Sequence, residues 1–234
     1  MQTTFIISWT ILATIFFGAM TIIVSFLSKG GDKPHKVASM WAESILFISG
    51  IRVRVRGLSN ISPDRSYIYM PNHQSYFDIP VLMAYLRVQF RWLAKVELFK
   101  IPIFGQAMQR AGYISIDRSN RKSAFKSLRQ AAETIRNGVS VVIFPEGTRS
   151  RDGSISPFKK GGFIVAIDSE VPIVPVILHG TRSIMSRQRL TINPRDVEVE
   201  IRPPVETSEY TRKTKGDLLE NIRQIICDRF TVDG

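Results

Sequence analysis

The sequence predicts an α/β fold, a mixed sheet flanked by helices, with an N-terminal membrane-associated helical segment. Three observations support this prediction. Residues 5–27 carry no charge. From residue 51 onward, short β-like runs alternate with helical patterns, and such alternation is typical of a sheet covered by helices on both faces. No long polar or Pro/Gly/Ser-rich tract interrupts the 234 residues, so we expect N-terminal helices in residues 1–50 and one folded domain in 51–234.

The first apolar segment is long enough to reach across a membrane. As a helix, residues 5–27 would measure roughly 35 Å, against a hydrocarbon core of about 30 Å. No Lys or Arg precedes the segment, which argues against a cleaved signal peptide. Basic residues follow the segment, among them Lys29, Lys33 and Lys36. Such residues stay on the cytoplasmic side of a membrane, so we expect the protein at the inner or plasma membrane with the rest of the chain in the cytoplasm. Whether the segment spans the bilayer or lies within one leaflet stays open.

A second apolar stretch, residues 37–49, has helical spacing but is too short and too polar to span a bilayer. It is either an interfacial helix that packs on the bilayer or on the first helix, or an ordinary core helix. His35, just before it, has no neighbouring carboxylate in the pattern and is interpreted as part of a linker.

The remaining elements are predicted in chain order. Strands are predicted at 51–56, 66–70, 90–94, 113–116, 139–143, 173–178 and 197–201, and helices near 79–87, 102–110, 120–136, 160–169 and 214–230. In the run Ile51–Arg56, apolar residues alternate with arginines, so this strand should have one solvated face and be an edge or partly exposed strand.

The positive charge is concentrated in the middle of the chain. The formal net charge is +12, and residues 51–100 and 101–150 each hold eight Lys and Arg against three Asp and Glu, or +5 apiece. A basic surface attracts polyanions such as nucleic acid, anionic lipid headgroups and phosphorylated cofactors. We find no nucleic-acid-binding motif and expect no nucleic-acid partner.

His73 and Asp78 form the first candidate for chemistry. His73 follows the apolar run of residues 67–70, and Asp78 precedes Ile79-Pro80 as a helix N-cap would. A spacing of five does not place both on one face of a continuous helix, so the histidine must fold back over a turn. A carboxylate in contact with the imidazole would fix its tautomer and stabilise the imidazolium formed when it removes a proton.

The second candidate is the loop that follows the apolar run of residues 139–143. It begins Phe144-Pro145-Glu146-Gly147-Thr148-Arg149-Ser150. Gly147 permits an unusual backbone, Glu146 offers a carboxylate to hydroxyl groups, and Arg149 offers a planar guanidinium to a phosphate.

With these residues the sequence resembles the glycerolipid acyltransferases, most closely the 1-acylglycerol-3-phosphate O-acyltransferases. The resemblance covers about residues 70–178 and rests on four motifs. They are the His73/Asp78 pair with its H-x-x-x-x-D spacing, Gly112 to Arg118, Phe144 to Ser150, and Val171 to Val176.

The resemblance implies direct acyl transfer, with His73 as general base and Asp78 as its support. It also implies that Lys95 and Arg118 bind substrate, together with Glu146, Gly147, Thr148 and Arg149. The acyl donor would be acyl-CoA or acyl carrier protein, used as co-substrate. The acceptor would be a membrane lipid, 1-acylglycerol 3-phosphate, acylated at its free sn-2 hydroxyl to give phosphatidic acid. No metal-ligand cluster is evident, and we expect no cofactor.

Two groups of alternatives stay open at this point. The acceptor could instead be glycerol 3-phosphate or a lyso-ornithine lipid, since the same catalytic pair serves each. In a different class, the chain could be a non-catalytic membrane protein that binds anionic lipid, which would have no use for the His73/Asp78 pair.

Overall fold

A single seven-stranded sheet organises the chain. The computed structural model describes residues 2–28, 30–117, 120–186, 188 and 191–231. The strand order is β1-β7-β6-β2-β5-β3-β4. The strands are β1 (Val53–Arg56), β2 (Ile68–Pro71), β3 (Phe90–Lys95), β4 (Ile114–Ile116), β5 (Ser140–Val142), β6 (Ile173–His179) and β7 (Val197–Ile201). Five strands, β2 to β6, are parallel, whereas β7 pairs antiparallel with β6 and β1 runs parallel to β7. The prediction of a mixed sheet is confirmed.

Helices cover both faces of this sheet. They are α1 (Gln2–Phe26), α2 (Asp32–Ile48), α3 (Asp78–Tyr85), α4 (Phe104–Arg110), α5 (Arg121–Arg136), α6 (Lys160–Ser169), α7 (Thr181–Ile184) and α8 (Lys215–Cys227). Single 3₁₀ turns lie at Leu58–Asn60 and Val96–Lys100. The short α7 and these turns were not predicted, because one turn of helix is too short to show an apolar period.

The side-chain pattern of each strand matches its place in the sheet. All residues of β2 and β5 are buried, as expected for parallel strands covered on both faces. In β1 half-buried valines alternate with exposed arginines, and β1 lies at one edge of the sheet. The prediction of an edge strand with one solvated face is confirmed.

Two apolar cores form, one on each face of the sheet. Successive residues of β2 point to opposite faces: Tyr69 belongs to the core that also includes residues of α2 and α3. Ile68 and Met70 belong to the other core, which includes residues of α5, α6 and α8. We refer to these as the α2/α3 face and the α5/α6 face.

The N-terminal helices pack on the α2/α3 face. Ile6 of α1 is fully buried in that core, and the indole N–H of Trp41 in α2 donates to Thr14 Oγ1 of α1 at 3.1 Å. Among the helices that the structure describes, α1 is the one that is both long enough and apolar enough to cross a membrane. The helix α2 buries Ala42 and Ile45 yet exposes 83% of Phe47, so it is a core helix on one side and presents apolar surface on the other.

The interpretation of His35 as a linker residue is wrong. The helix α2 begins five residues earlier than predicted, at Asp32, because Pro34 is tolerated in a first turn. His35 is buried, its Nδ1 lies 3.1 Å from the Tyr113 hydroxyl, and its ring meets Phe90 edge-on. Burial, aided by the nearby Arg91 charge, lowers the pKa of His35 to about 3. The imidazole is therefore a neutral core group.

The parallel strands direct the candidate residues to one edge of the sheet. Five strands end at the same edge, which we call the carboxyl edge. His73 follows β2, the loop from Phe144 follows β5, Lys95 is the last residue of β3, and Asp117 follows β4. In an open α/β sheet, ligands bind outside the carboxyl ends of the strands.

Candidate active site

His73 and Asp78 are in direct contact. The imidazole Nδ1 lies 2.8 Å from Asp78 Oδ2. The aspartate side chain is fully buried, whereas 15% of the histidine side chain stays exposed. Because a carboxylate only accepts hydrogen bonds, Nδ1 carries the proton and the neutral ring keeps a lone pair on Nε2. The imidazole of His73 therefore reaches solvent, while the carboxylate that supports it lies inside the protein.

The Asp78 carboxylate organises the turn between the two residues. Its Oδ2 also accepts the backbone N–H groups of Gln74 at 2.7 Å and Ser75 at 2.9 Å. The prediction of an N-cap is wrong in detail: Asp78 is the first residue of α3 and its side chain turns back to the preceding loop, while Phe77 occupies the cap position without a side-chain cap bond. Three donors on Oδ2 offset part of the cost of burying the charge, while Oδ1 is buried without a hydrogen-bond partner among the described residues.

Asn72 fixes the point at which the chain leaves the sheet. Its side-chain amide donates to the Leu178 carbonyl at 3.1 Å, and its carbonyl oxygen accepts the Leu178 N–H at 2.7 Å. The side chain is fully buried. Because it pairs with β6 as a further residue of β2 would, it continues the parallel pairing beyond Pro71 and sets the position of His73.

Two aromatic rings lie in line with the imidazole. Phe144 stacks on His73 with ring centroids 3.8 Å apart and an interplanar angle of 18°. Trp92 of β3 stacks on Phe144 at 5.7 Å and 16°. The hydrogen bond to Asp78 and the stacked Phe144 ring together fix the orientation of the imidazole. An aromatic face also stabilises a neighbouring cation, so Phe144 favours the imidazolium form of His73.

Glu146 connects the β5 loop to the histidine through the backbone. Its Oε1 accepts the His73 N–H at 2.7 Å and its Oε2 accepts the Ser156 N–H at 2.8 Å, and only 1% of the residue is exposed. The Ser150 N–H also donates to the His73 carbonyl at 2.8 Å. The expected contact between Glu146 and a glycerol stays a prediction. The observed geometry gives the carboxylate a positioning role, because both oxygens already accept backbone donors.

Burial affects the protonation of Glu146. Desolvation raises the pKa of this carboxyl to about 7; the nearby Asp78 charge adds to the increase, while the hydrogen bonds from Ser156 and His73 oppose it. Two buried carboxyl groups thus hold one histidine, Asp78 by its ring and Glu146 by its main chain.

The remainder of the loop places Arg149 over the histidine turn. Gly147 has φ +74°, a left-handed conformation that suits glycine, and its N–H donates to the Phe144 carbonyl. Thr148 is exposed. The guanidinium carbon of Arg149 lies 3.3 Å from the ring centroid of Tyr76, and Tyr76 lies between His73 and Asp78 in the chain. The cation is therefore on the same side of the molecule as the base.

Lys95 lies at the same edge of the sheet as His73. Lys95 ends β3, is exposed, and pairs in register with Ile116 of β4. It comes three residues after Trp92, whose ring stacks beneath Phe144. Arg118 lies outside the described residues. Among the described residues, no cluster of three or more His, Cys, Asp and Glu is arranged to hold a metal ion.

The geometry can support proton abstraction beside an anion-binding surface. The imidazole combines an accessible nitrogen with a fixed tautomer, which is what a general base needs. Arg149 and Lys95 supply positive charge at the same edge, where a planar guanidinium can bind a phosphate through two hydrogen bonds.

Several residues of the site carry no chemical signal in the sequence. Asn72, Trp92 and Tyr76 were not singled out, and the stacking of Phe144 was not foreseen. Each acts through a neighbour from a distant part of the chain, so spacing along the sequence could not reveal it. The one available signal was position, since Asn72 and Phe144 directly follow buried strands.

The chain matches a known protein family. Residues 52–179 match the family model described as Acyltransferase. The chain is 38% identical over 187 residues to "1-acyl-sn-glycerol-3-phosphate acyltransferase BAT2, chloroplastic" of Brassica napus, covering 79% of this chain and 52% of that protein. It is 31% identical over 210 residues to "1-acyl-sn-glycerol-3-phosphate acyltransferase alpha" of Homo sapiens, covering 89% and 74%. The chain therefore spans about half the length of the Brassica protein.

A solved structure shares the fold over nearly the whole chain. The crystal structure of the 1-acyl-sn-glycerophosphate (LPA) acyltransferase PlsC from Thermotoga maritima superposes with a TM-score of 0.82 at 28% identity. The match covers 97% of this chain and 92% of that one, so it includes the N-terminal helices as well as the sheet.

The raised pKa of Glu146 predicts a pH-dependent stability. Between its ordinary value of 4.5 and its folded value of about 7, the folded protein binds a proton more tightly than the unfolded chain, so this group's contribution to stability is lost as pH rises. From about pH 5 to about pH 8, the Tm of the wild type should therefore fall relative to that of Glu146→Gln. The exposed Glu97→Gln serves as control. Parallel Tm curves for wild type and Glu146→Gln would contradict the assignment.

Proposed function

This chain belongs to the acyltransferase family, and we propose that it transfers a fatty acyl group from a thioester to the free sn-2 hydroxyl of 1-acylglycerol 3-phosphate. The product would be phosphatidic acid. The observation that carries the proposal is the 2.8 Å contact between His73 and Asp78, at the edge of the sheet that also holds Arg149 and Lys95. The names of the relatives, in which this acceptor recurs, point to the same substrate.

In the proposed reaction His73 acts as general base. Its Nε2 removes the proton of the acceptor hydroxyl as the oxygen attacks the thioester carbonyl carbon. A C–O bond forms, the C–S bond breaks, and the imidazolium returns its proton to the departing thiolate. Asp78 stabilises the imidazolium between these steps through its bond to Nδ1. Because Phe144 stacks on the imidazole, the ring is already oriented for proton transfer and loses little rotational freedom in the transition state.

The cations of the carboxyl edge would hold the acceptor phosphate. Arg149 lies over Tyr76, which belongs to the turn that carries the base. Lys95 ends β3, which pairs with β5. We assign both to the phosphate, together with Arg118, which lies outside the described residues, as a third cation. Gly147 and Thr148 would line the part of the site that holds the glycerol. Fixing the phosphate fixes the hydroxyl relative to the base, and positioning of this kind contributes up to roughly 7 to 11 kcal/mol to a bimolecular step.

The first helix would bring the site to the lipid. Large apolar side chains on one side of α1 are left exposed, including Leu12 (62%), Phe16 (63%) and Phe26 (69%). Patches of this kind mark interaction surfaces in folded proteins. We propose that this face of α1 contacts the bilayer, which spares the lipid substrate and product a passage through water.

Contacts along the whole of α1 favour a position within one leaflet. Near its start, Thr3 Oγ1 accepts the Ile192 N–H at 3.1 Å. Near its end, the guanidinium of Arg110 lies 4.4 Å from the Phe26 ring. The two contacts are about 35 Å apart along the helix. If α1 crossed the bilayer, the folded domain would have to lie inside it, so we propose that α1 lies along the membrane surface with the domain on the cytoplasmic side.

Conversion of lysophosphatidate tests the proposal directly. Purified protein with an acyl thioester should yield phosphatidic acid and free thiol, and His73→Ala should lower turnover by roughly 10²- to 10⁴-fold while lipid binding persists. The variant should fold, because Glu146 and Ser150 hold residue 73 through its main chain. Appreciable turnover by the folded variant would refute the base assignment. Preference for glycerol 3-phosphate or a lyso-ornithine lipid would reassign the acceptor.

Replacement of Arg149 tests the phosphate contact. If the guanidinium binds phosphate equally in the ground and transition states, Arg149→Ala should raise KM for lysophosphatidate by about tenfold or more with little change in kcat. Arg151→Ala, which removes an exposed cation two residues along the same loop, is the matched control. An unchanged KM in Arg149→Ala would remove the residue from that role.

A further inference from the structure

A cluster of exposed cations lies beside the candidate site and has no part in the mechanism above. Three of them follow one another along the outer side of α5, at a spacing of four and three residues, with an exposed phenylalanine between them. Two more begin α6. We call this cluster the basic patch: Lys122, Phe125, Lys126, Arg129, Lys159 and Lys160, all exposed. The start of α6 lies against α5, since a Cβ on Gly161 would meet Leu128 at 3.4 Å.

The lysines of the basic patch form no ion pair with the described carboxylates, whereas Arg129 lines a groove with Glu133, Asp168 and Glu170. Over the ranges that the structure describes, no carboxylate lies within ion-pair distance of any of the five. Beside the basic patch, by contrast, Arg212 binds both oxygens of Asp168 at 2.6 and 2.7 Å, and its guanidinium carbon lies 6.0 Å from the Phe125 ring centroid. Like charges one turn apart destabilise a helix, so the pattern is unfavourable in the isolated protein and favours an anionic partner.

The position of the basic patch indicates which partner. The helix α5 follows β4 from the carboxyl edge, so its first turns lie beside the candidate site. It packs on the α5/α6 face, whereas α1, with its exposed apolar side chains, packs on the opposite α2/α3 face. The basic patch is therefore directed away from the surface assigned to the bilayer, and an anionic membrane is disfavoured as its partner.

The shape of the surface favours a protein over a small phosphorylated molecule. Small ligands bind in concave sites, but Lys122, Phe125 and Lys126 stand on the convex side of a helix. The nearby groove between α5 and α6, of about 440 Å³, is lined by Glu133, Asp168 and Glu170 as well as by three arginines. Its carboxylates would repel the phosphates of a free nucleotide, and they would also repel an acidic protein near Arg129, so the docking surface is centred on the Lys122 end of the basic patch.

We propose that the basic patch is the docking surface of an acidic acyl carrier protein, which presents its acyl thioester to His73 from the side of the sheet opposite the membrane. The inference rests on the proposed acyl transfer and adds to it the site at which one class of donor binds. Lys122 and Lys126 supply charge to an acidic helix, and Phe125 supplies apolar contact between them, an arrangement typical of protein interfaces.

Matched donors test this docking surface. Initial rates are measured in one detergent with palmitoyl acyl carrier protein and with palmitoyl-CoA. We expect Lys122→Glu/Lys126→Glu to raise KM for the carrier protein roughly tenfold, an effect that weakens with added salt, and to leave KM for palmitoyl-CoA within about twofold. Arg136→Glu is the control, because it reverses one charge on the same helix about 21 Å from Lys122.

Each other outcome is decisive. An equal loss with both donors, or no loss with either, would overturn the docking surface, and so would equal sensitivity to Arg136→Glu. Loss of binding to phosphatidylglycerol vesicles in the double variant would assign the basic patch to the membrane instead. A wild type that uses only palmitoyl-CoA would overturn this inference and leave the proposed function intact. A wild type that uses neither thioester would overturn both.

Discussion

The structure depends on the fixation of His73 by two carboxylates and a main-chain donor. Asp78 holds the ring, Glu146 holds the backbone N–H, and the Ser150 N–H holds the carbonyl. Two of these three partners lie in the loop after β5, so the histidine turn has its observed form only because β5 pairs beside β2. Burial of two charges near one another is costly. Backbone donors offset this cost at Asp78, and at Glu146 it is partly relieved by the raised pKa of the carboxyl.

The two faces of the sheet would then serve two substrates. The α2/α3 face carries α1 and its exposed apolar side chains, and the α5/α6 face carries the basic patch. The site lies between them, at the carboxyl edge. In this arrangement a lipid acceptor reaches His73 from the membrane side and a water-soluble thioester reaches it from the other side, so neither substrate crosses the path of the other.

Much of this molecule could be predicted from its sequence. Buried parallel strands such as β2 and β5 appear as continuous apolar runs, and the alternation of valine and arginine in β1 revealed an edge strand. The contact between His73 and Asp78 was also predictable, because both belong to one short turn. The positioning role of Glu146 was not, since it depends on the pairing of β2 with β5, in which Ile68 lies beside Val141, 73 residues along the chain. Asn72 and His35 were missed for the same reason: a polar residue satisfied by a distant partner has the same local pattern as one in a solvated loop.

We propose that His73 and Asp78 act as one unit, and a double-mutant cycle measures the coupling between them. kcat/KM for lysophosphatidate is compared among wild type, Asp78→Asn, His73→Ala and the double variant, with Tm measured for each to show that it folds. Residues that act together give non-additive losses, so the double variant should lose no more activity than His73→Ala alone. If the two losses multiply, or if Asp78→Asn is as active as the wild type, the carboxylate does not act through the imidazole and the account is contradicted.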